Sequence, residues 1–281
     1  MAIFAINNQT LMRLQSILLL IPSITGLFWL LAYLVFAPRD IYFRKLKRFI
    51  ALLSCFFLFA FLSSNTSSRL MLHFVLIEQV CALALVPCFI SYVKSFRNTV
   101  PEGLFFKLCS FVPFMHLVVG IESVYTAGFE NAVRIYLDSF NFVGPMFPFL
   151  DDKGQVVFYA SFTYMFRAFL LVNFLLFAIE MMSSMIRGES RFKESMAFIF
   201  AGHRANLVPV QYFLALVIFL IVVPATVLGK NCYSENIFIT AAACVLTAVA
   251  LTMMALVGSA GPMEKQSISG ILETIRLGNR R

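Results

Sequence analysis

The sequence predicts an all-α fold, a polytopic membrane helix bundle of seven transmembrane helices. Three observations predict it. Of the 281 residues, 60% are hydrophobic and 13% charged, a balance far more apolar than a soluble domain of this length carries. Long apolar stretches recur at 16–36, 49–63, 71–93, 108–125, 156–179, 207–228 and 237–258, and a bilayer core takes about 20 apolar residues per helix, within a range of roughly 17–25. The basic residues, finally, are sorted onto alternate connections between those stretches.

Each stretch has its own justification. The first follows Arg13 and resembles a secretory signal in position. It is too long for one, lacks a small-x-small cleavage site, and runs into the densest basic cluster of the chain, so a retained helix is expected. The second, 49–63, is short and must recruit flanking residues or thin the membrane. The third contains Pro87, the fourth Pro113, the sixth Pro209 and Pro224, and the first Pro22; each proline permits a bend. The seventh, 237–258, leads into a tail.

Orientation follows from charge. Arg39, Arg44, Lys45, Lys47 and Arg48 follow the first stretch, Lys94, Arg97 and Lys107 the third, Arg187, Arg191, Lys193 and Arg204 the fifth, and Lys265, Arg276, Arg280 and Arg281 lie in the tail. The opposite side holds Arg13, Arg69, Arg134, Lys153 and Lys230. Basic residues stay cytoplasmic, so the N-terminus is expected outside and the C-terminus in the cytoplasm. The net charge of +8 follows this distribution and calls for no direct nucleic-acid partner.

Two parts are expected: a transmembrane domain, 1–258, including a long outside loop at 126–155, and a short cytoplasmic tail, 259–281. The loop combines Glu130, Asp138, Asp151 and Asp152 with Phe129, Tyr136, Phe140, Phe142, Phe147 and Phe149, Gly144-Pro145 and a turn at Asp151–Gly154. It reads as a cover over the bundle, or as a loop resting on the membrane surface. In the tail, Gly261-Pro262 are expected to break the last span. Beyond them Ile268, Ile271, Leu272 and Ile275 recur at helical spacing, an amphipathic helix suited to the inner leaflet or, through 264–281, to a cytoplasmic regulatory protein.

Ionisable groups inside a bilayer are costly and therefore informative. Here they are His73 and Glu78 in the third stretch, His116 in the fourth and Arg167 in the fifth. At about 1.5 Å per residue, Glu78 lies roughly 11 Å, His116 roughly 13 Å and Arg167 roughly 17 Å from the outside ends of their helices. One layer can hold all three, as a ligand- or proton-sensing group or as an ion pair that fixes packing. Asn173 and Gln211 are expected to form an inner polar layer.

No catalytic residue, cofactor or metal is expected. The aspartates Asp40, Asp138, Asp151 and Asp152 all lie in connections, leaving none for an intramembrane aspartyl pair. There is no His-Glu-x-x-His, Gly-x-Ser-x-Gly or Walker pattern, and the seventh stretch has no lysine for a retinal Schiff base. Cys55, Cys81, Cys88, Cys109 and Cys244 fall in or beside spans and Cys232 in an outside loop, with no Cys-x-x-Cys pair. Asn8-Gln-Thr and Asn65-Thr-Ser match the glycosylation pattern, which matters in a eukaryotic secretory route.

The stretch Ala82 to Phe96, Ala-Leu-Ala-Leu-Val-Pro-Cys-Phe-Ile-Ser-Tyr-Val-Lys-Ser-Phe, resembles the Leu-x-x-Pro-Leu-x-x-x-Tyr-x-(Lys/Arg)-x-(Leu/Phe) segment of bacterial membrane-anchored AraC-type helix-turn-helix regulators. Phe111-Val-Pro-Phe-Met-His116 is similar to their Phe-Leu-Pro entry, and Leu170 to Glu180 to their apolar run with an inner polar end. The likeness covers roughly residues 15 to 260. It implies a seven-span sensor module in a bacterial inner membrane that passes a signal to transcriptional regulation. The chain stops at Arg281, without room for the DNA-binding domain, so the sensor half alone is expected. The competing expectations are a small secondary transporter using the same intramembrane charges and a non-catalytic accessory membrane protein. Few ionisable residues, and no internal repeat, weigh against transport.

Overall fold

The computed structural model describes residues 16–37, 41–66, 68–96, 104–139, 152–186, 207–227 and 237–278, with the backbone alone for 260–278. We label the helices α1 (Leu20–Phe36), α2 (Ile41–Asn65), α3 (Ser68–Phe96), α4 (Leu104–Ala127), α5 (Phe129–Ser139), α6 (Lys153–Phe158), α7 (Phe166–Ile186), α8 (Leu207–Val227) and α9 (Ile237–Gly278). A π-helical segment, Tyr159–Met165, joins α6 to α7 without a break in the chain's course. Among the described residues every regular element is helical, as a bilayer core requires of an unclosed bundle whose backbone groups find no water.

Six segments are long and apolar enough to cross a membrane: Ser16–Phe36, Phe43–Asn65, Leu70–Ser95, Ser110–Ala127, Lys153–Ser184 and Ile237–Ser259. The apolar part of α8, Val208–Pro224, is shorter. The helix expected to be short, the second, is not. It reaches back to Ile41 and absorbs Arg44, Lys45, Lys47 and Arg48 into its first turns. The sequence permits this because Phe43, Leu46, Phe49 and Ile50 alternate with those charges at helical spacing. All four are buried, while Arg44 and Arg48 face outward. Lys45 instead turns inward and donates to the Ser91 carbonyl at 3.1 Å.

The helix ends reveal how the chain winds. Ser16 meets Asn65 (3.1 Å), so α1 and α2 are antiparallel; Lys45 meets Ser91, so α2 and α3 are antiparallel. Lys94 meets Glu180 at 3.3 Å, so α3 and α7 run the same way. The start of α8 meets the far end of the apolar segment of α9, Ile237–Ser259, through Gln211 and Met254. The bundle thus has a cap end, where α5 lies, and a basic end, where α2 begins.

Helix α3 is the axis: 67% of its apolar window is buried, against 22% for α1. It packs against α2, α4, α5, α7 and α8, while α9 lies between α1 and α8. Two apolar cores are stacked along α3. Toward the basic end, Phe89 is surrounded by Phe49, Phe177, Tyr212 and Phe219, with ring centroids 5.5 to 6.0 Å away. Toward the cap end, Leu72, Val75 and Leu76 pack with Val124, Ile135, Tyr136, Phe158 and Phe162. Aromatic pairs at these distances add to the packing their buried area supplies.

Helix α9 departs from expectation. It continues unbroken through Gly261-Pro262 to Gly278. A single proline removes one backbone bond and adds a ring clash, which a helix can accommodate without stopping. The apolar face expected at Ile268, Ile271, Leu272 and Ile275 lies outside the described side chains, and 279–281 lies outside the described residues.

Candidate functional site

The polar residues gather at the seam between the two cores. Along α3 the order is Leu72, Val75 and Leu76 in the cap-end core, then Glu78 and Gln79, then the basic-end core from Cys81 onward. Gln79 is buried, and its amide is fixed by two partners. Its Nε2 donates to the Phe162 carbonyl in the π-helical segment (3.3 Å), which leaves Oε1 facing His116 Nε2 at 2.8 Å. An amide oxygen accepts, so Nε2 of His116 carries the proton in this arrangement. The imidazole packs against the rings of Phe166 (5.5 Å) and Phe162 (6.4 Å). One side chain thereby ties α3, α4 and the π-helical segment together at a single level.

Glu78, on the neighbouring face of α3, lies 3.1 Å from the hydroxyl of Ser63 on α2. Arg167 sits just past the π-helical segment, at the start of α7. Both act on Tyr136 of α5, which lies outside the spans. Burial pushes the Tyr136 phenol well above its usual pKa, the Glu78 carboxylate adds to that push and the Arg167 guanidinium opposes it. Tyr136 is thus the point at which the capping helix reaches the intramembrane charges. Thr163 is buried within the π-helical segment, and its hydroxyl lacks a hydrogen-bond partner. By contrast, Thr25, Ser54, Ser161 and Thr226 each donate to the carbonyl four residues back. π-Helical turns are rare and recur at functional sites.

Helix α5 and the first residues of α6 are the described parts of the expected cover; 140–151, with Gly144-Pro145, lies outside the described residues. The chain turns into α5 at Gly128, whose φ of +76° belongs to the left-handed region that suits glycine. Ala132, Ile135 and Tyr136 then face the bundle and are buried. Close approach of α6 to the end of α4 depends on Gly154, where a Cβ would stand 2.5 Å from the Thr126 carbonyl oxygen.

Of the expected residues, Glu78, His116 and Arg167 are gathered at one level around Gln79 and Tyr136. His73 is not among them. It is exposed nearer the cap end and stacks on Phe129, with centroids 5.9 Å apart. Asn173 and Gln211 are both buried, yet each bonds a backbone carbonyl of a neighbouring helix, Leu83 at 3.2 Å and Met254 at 3.2 Å. Leu83 is four residues before Pro87, and proline has no N–H to offer that carbonyl, so Asn173 supplies the missing donor.

Comparison with known protein families, curated proteins and solved structures finds no match.

Among the described residues no group of three His, Cys, Asp or Glu side chains is placed to hold a metal ion. Cys55, Cys81, Cys88 and Cys244 are free thiols. Gln79, Ser63, Tyr136 and Thr163 are the site residues that sequence reasoning missed. Being uncharged, they raise no alarm in an apolar stretch. The available signal was position: Gln79 adjoins Glu78, and Ala132, Ile135 and Tyr136 follow a helical spacing inside the supposed loop.

Proposed function

We propose that the protein is an integral membrane sensory module. A signal from outside, or from within the bilayer, acts at the polar seam beneath α5, and the response leaves through α9 toward a cytoplasmic regulatory partner contacted by 264–281. The reading is carried by the Gln79 amide, which is bonded at once to His116 on α4 and to the π-helical Phe162 carbonyl. A ligand or proton that disturbs this amide is felt by three helices together. A π-helical turn has an α-helical alternative that differs by one residue of register, hence by about 100° of rotation. Such a turn is a two-state element that a local event can bias.

In this reading α8 crosses the bilayer with the six longer segments. That makes seven spans, with the cap end outside and the basic end in the cytoplasm. The alternating helix directions support this parity. The likeness of 82–96 to the sensor part of membrane-anchored AraC-type regulators points to transcriptional regulation as the output and to a bacterial inner membrane as the location. The rival reading is a small secondary transporter using Glu78 and Arg167.

Purified protein in proteoliposomes distinguishes the two. The sensory reading expects no proton- or solute-coupled flux. It also expects a fluorescent label at Leu256→Cys, an exposed position of α9, in a background whose native cysteines are replaced by alanine, to change its mobility when Gln79→Leu disrupts the seam. Flux abolished by Glu78→Gln, with a label blind to Gln79→Leu, overturns it in favour of transport.

A further inference from the structure

The end of α1 and the start of α2 form a surface that no contact within the described bundle explains. Tyr33 and Phe43 hold these two ends together, their rings 5.6 Å apart. On one side of that joint Leu34, Val35 and Phe36 are 69%, 73% and 84% exposed. On the other, Arg44 and Arg48 are exposed and lie four residues apart on one face of α2. Residues at that spacing have side chains about 5–6 Å apart at their roots. The segment apolar enough to cross the membrane begins at Phe43, which puts Arg44 at its edge and Arg48 about 6 Å further in, where a long basic side chain still reaches back toward the headgroups. Lys45 is committed to Ser91 and leaves the outward face to the guanidinium groups.

We infer that this joint binds an anionic phospholipid, the phosphate held between Arg44 and Arg48 and the acyl chains lying on Leu34, Val35 and Phe36. Two guanidinium groups match phosphate oxygens with forked, charge-assisted hydrogen bonds that lysine does not reproduce. The adjoining apolar turn selects an amphiphile over a soluble anion, because phosphate alone gains nothing from it. Helix α2 itself carries no acidic residue, and an anionic membrane surface attracts basic residues placed near its level.

The test uses the full-length protein in nanodiscs of phosphatidylcholine with or without phosphatidylglycerol. Thermal stability and lipids retained after gentle extraction are measured for the wild type, Arg44→Gln/Arg48→Gln and, as a control at the cap end, Arg134→Gln. Phosphatidylglycerol is expected to stabilise the wild type and to be retained. Retention should fall about fivefold for each arginine replaced at the joint and stay unchanged in Arg134→Gln. The wild type alone gives a second reading, since added salt should weaken the preference. Equal stability in both lipids, an unchanged preference in the double variant, or the same stabilisation by inorganic phosphate in phosphatidylcholine would each overturn the proposal.

Discussion

Replacing Asn173 by leucine tests the pairing of Asn173 with the carbonyl that Pro87 leaves unserved. The two side chains share a branched skeleton of four heavy atoms and Asn173 is 2% exposed, so the change removes a hydrogen bond and adds bulk that is the same whichever residue stands at position 87. What is lost is the 3.2 Å bond to the Leu83 carbonyl. Interhelical bonds in membranes average about 0.6 kcal/mol and reach about 1.7. Here the acceptor has no helical N–H to fall back on, and a stranded buried group costs about 1–3 kcal/mol. The expected loss is therefore about 1–2 kcal/mol, a factor of about 5–30 in the ratio of folded to unfolded protein. Pro87→Ala gives Leu83 a donor within its own helix, so in that background Asn173→Leu should cost little. Reversible unfolding in mixed micelles, run as a double-mutant cycle, should yield a coupling of about 1 kcal/mol. If Asn173→Leu costs the same with proline or alanine at position 87, the reasoning is wrong.

Gln79→Leu should destabilise more than His116→Phe in thermal unfolding, by about 1 kcal/mol, because it strands both the His116 N–H and the Phe162 carbonyl whereas the latter strands the Gln79 oxygen alone. Gly154→Ala sets a methyl against the Thr126 carbonyl; a cost of about 1–3 kcal/mol and faster hydrogen exchange confined to the end of α4, α5 and α6 are expected. Lys94→Ala should change stability by less than about 1 kcal/mol, since both partners of its ion pair are about a third exposed, and the effect should shrink in salt. The Tyr136 phenol is raised from 10.0 when folded. Its contribution is therefore full below pH 10 and is lost as pH climbs toward the folded value, so alkaline exposure of α5, followed by hydrogen exchange, should be blunted in Tyr136→Phe.

Most of the helix inventory was legible because a bilayer imposes one requirement, length of apolar sequence, that composition records directly. The third stretch, read as 71–93, falls within Ser68–Phe96. The second was read too short because averaging cannot separate Phe43 and Leu46 from the charges between them, although their positions on a helix can. Depth arithmetic brought Glu78, His116 and Arg167 to one level, since rise per residue is fixed. It could not supply the connection, because Gln79 acts through hydrogen bonds whose partners are set by helix rotation. Asn173 had a readable purpose in the carbonyl four residues before a proline, but a single sequence does not say which helix lies opposite. The π-helical turn has no sequence signature here.

The unbroken course of α9 makes it a lever. At about 1.5 Å per residue its 42 residues span about 63 Å, twice the hydrocarbon thickness of a bilayer. It is gripped at one level: Trp29 donates to Thr252 (3.4 Å), Tyr33 to the Ala255 carbonyl and Gln211 to the Met254 carbonyl. These three donors form a fulcrum. From Ala255 to Gly278 the arm measures about 35 Å, so a tilt of about 10° moves its far end by about 6 Å, more than a full turn of helix rises. At that arm length a sub-ångström shift across the grip, between Thr252 and Ala255, corresponds to a displacement of a full helical turn at Gly278.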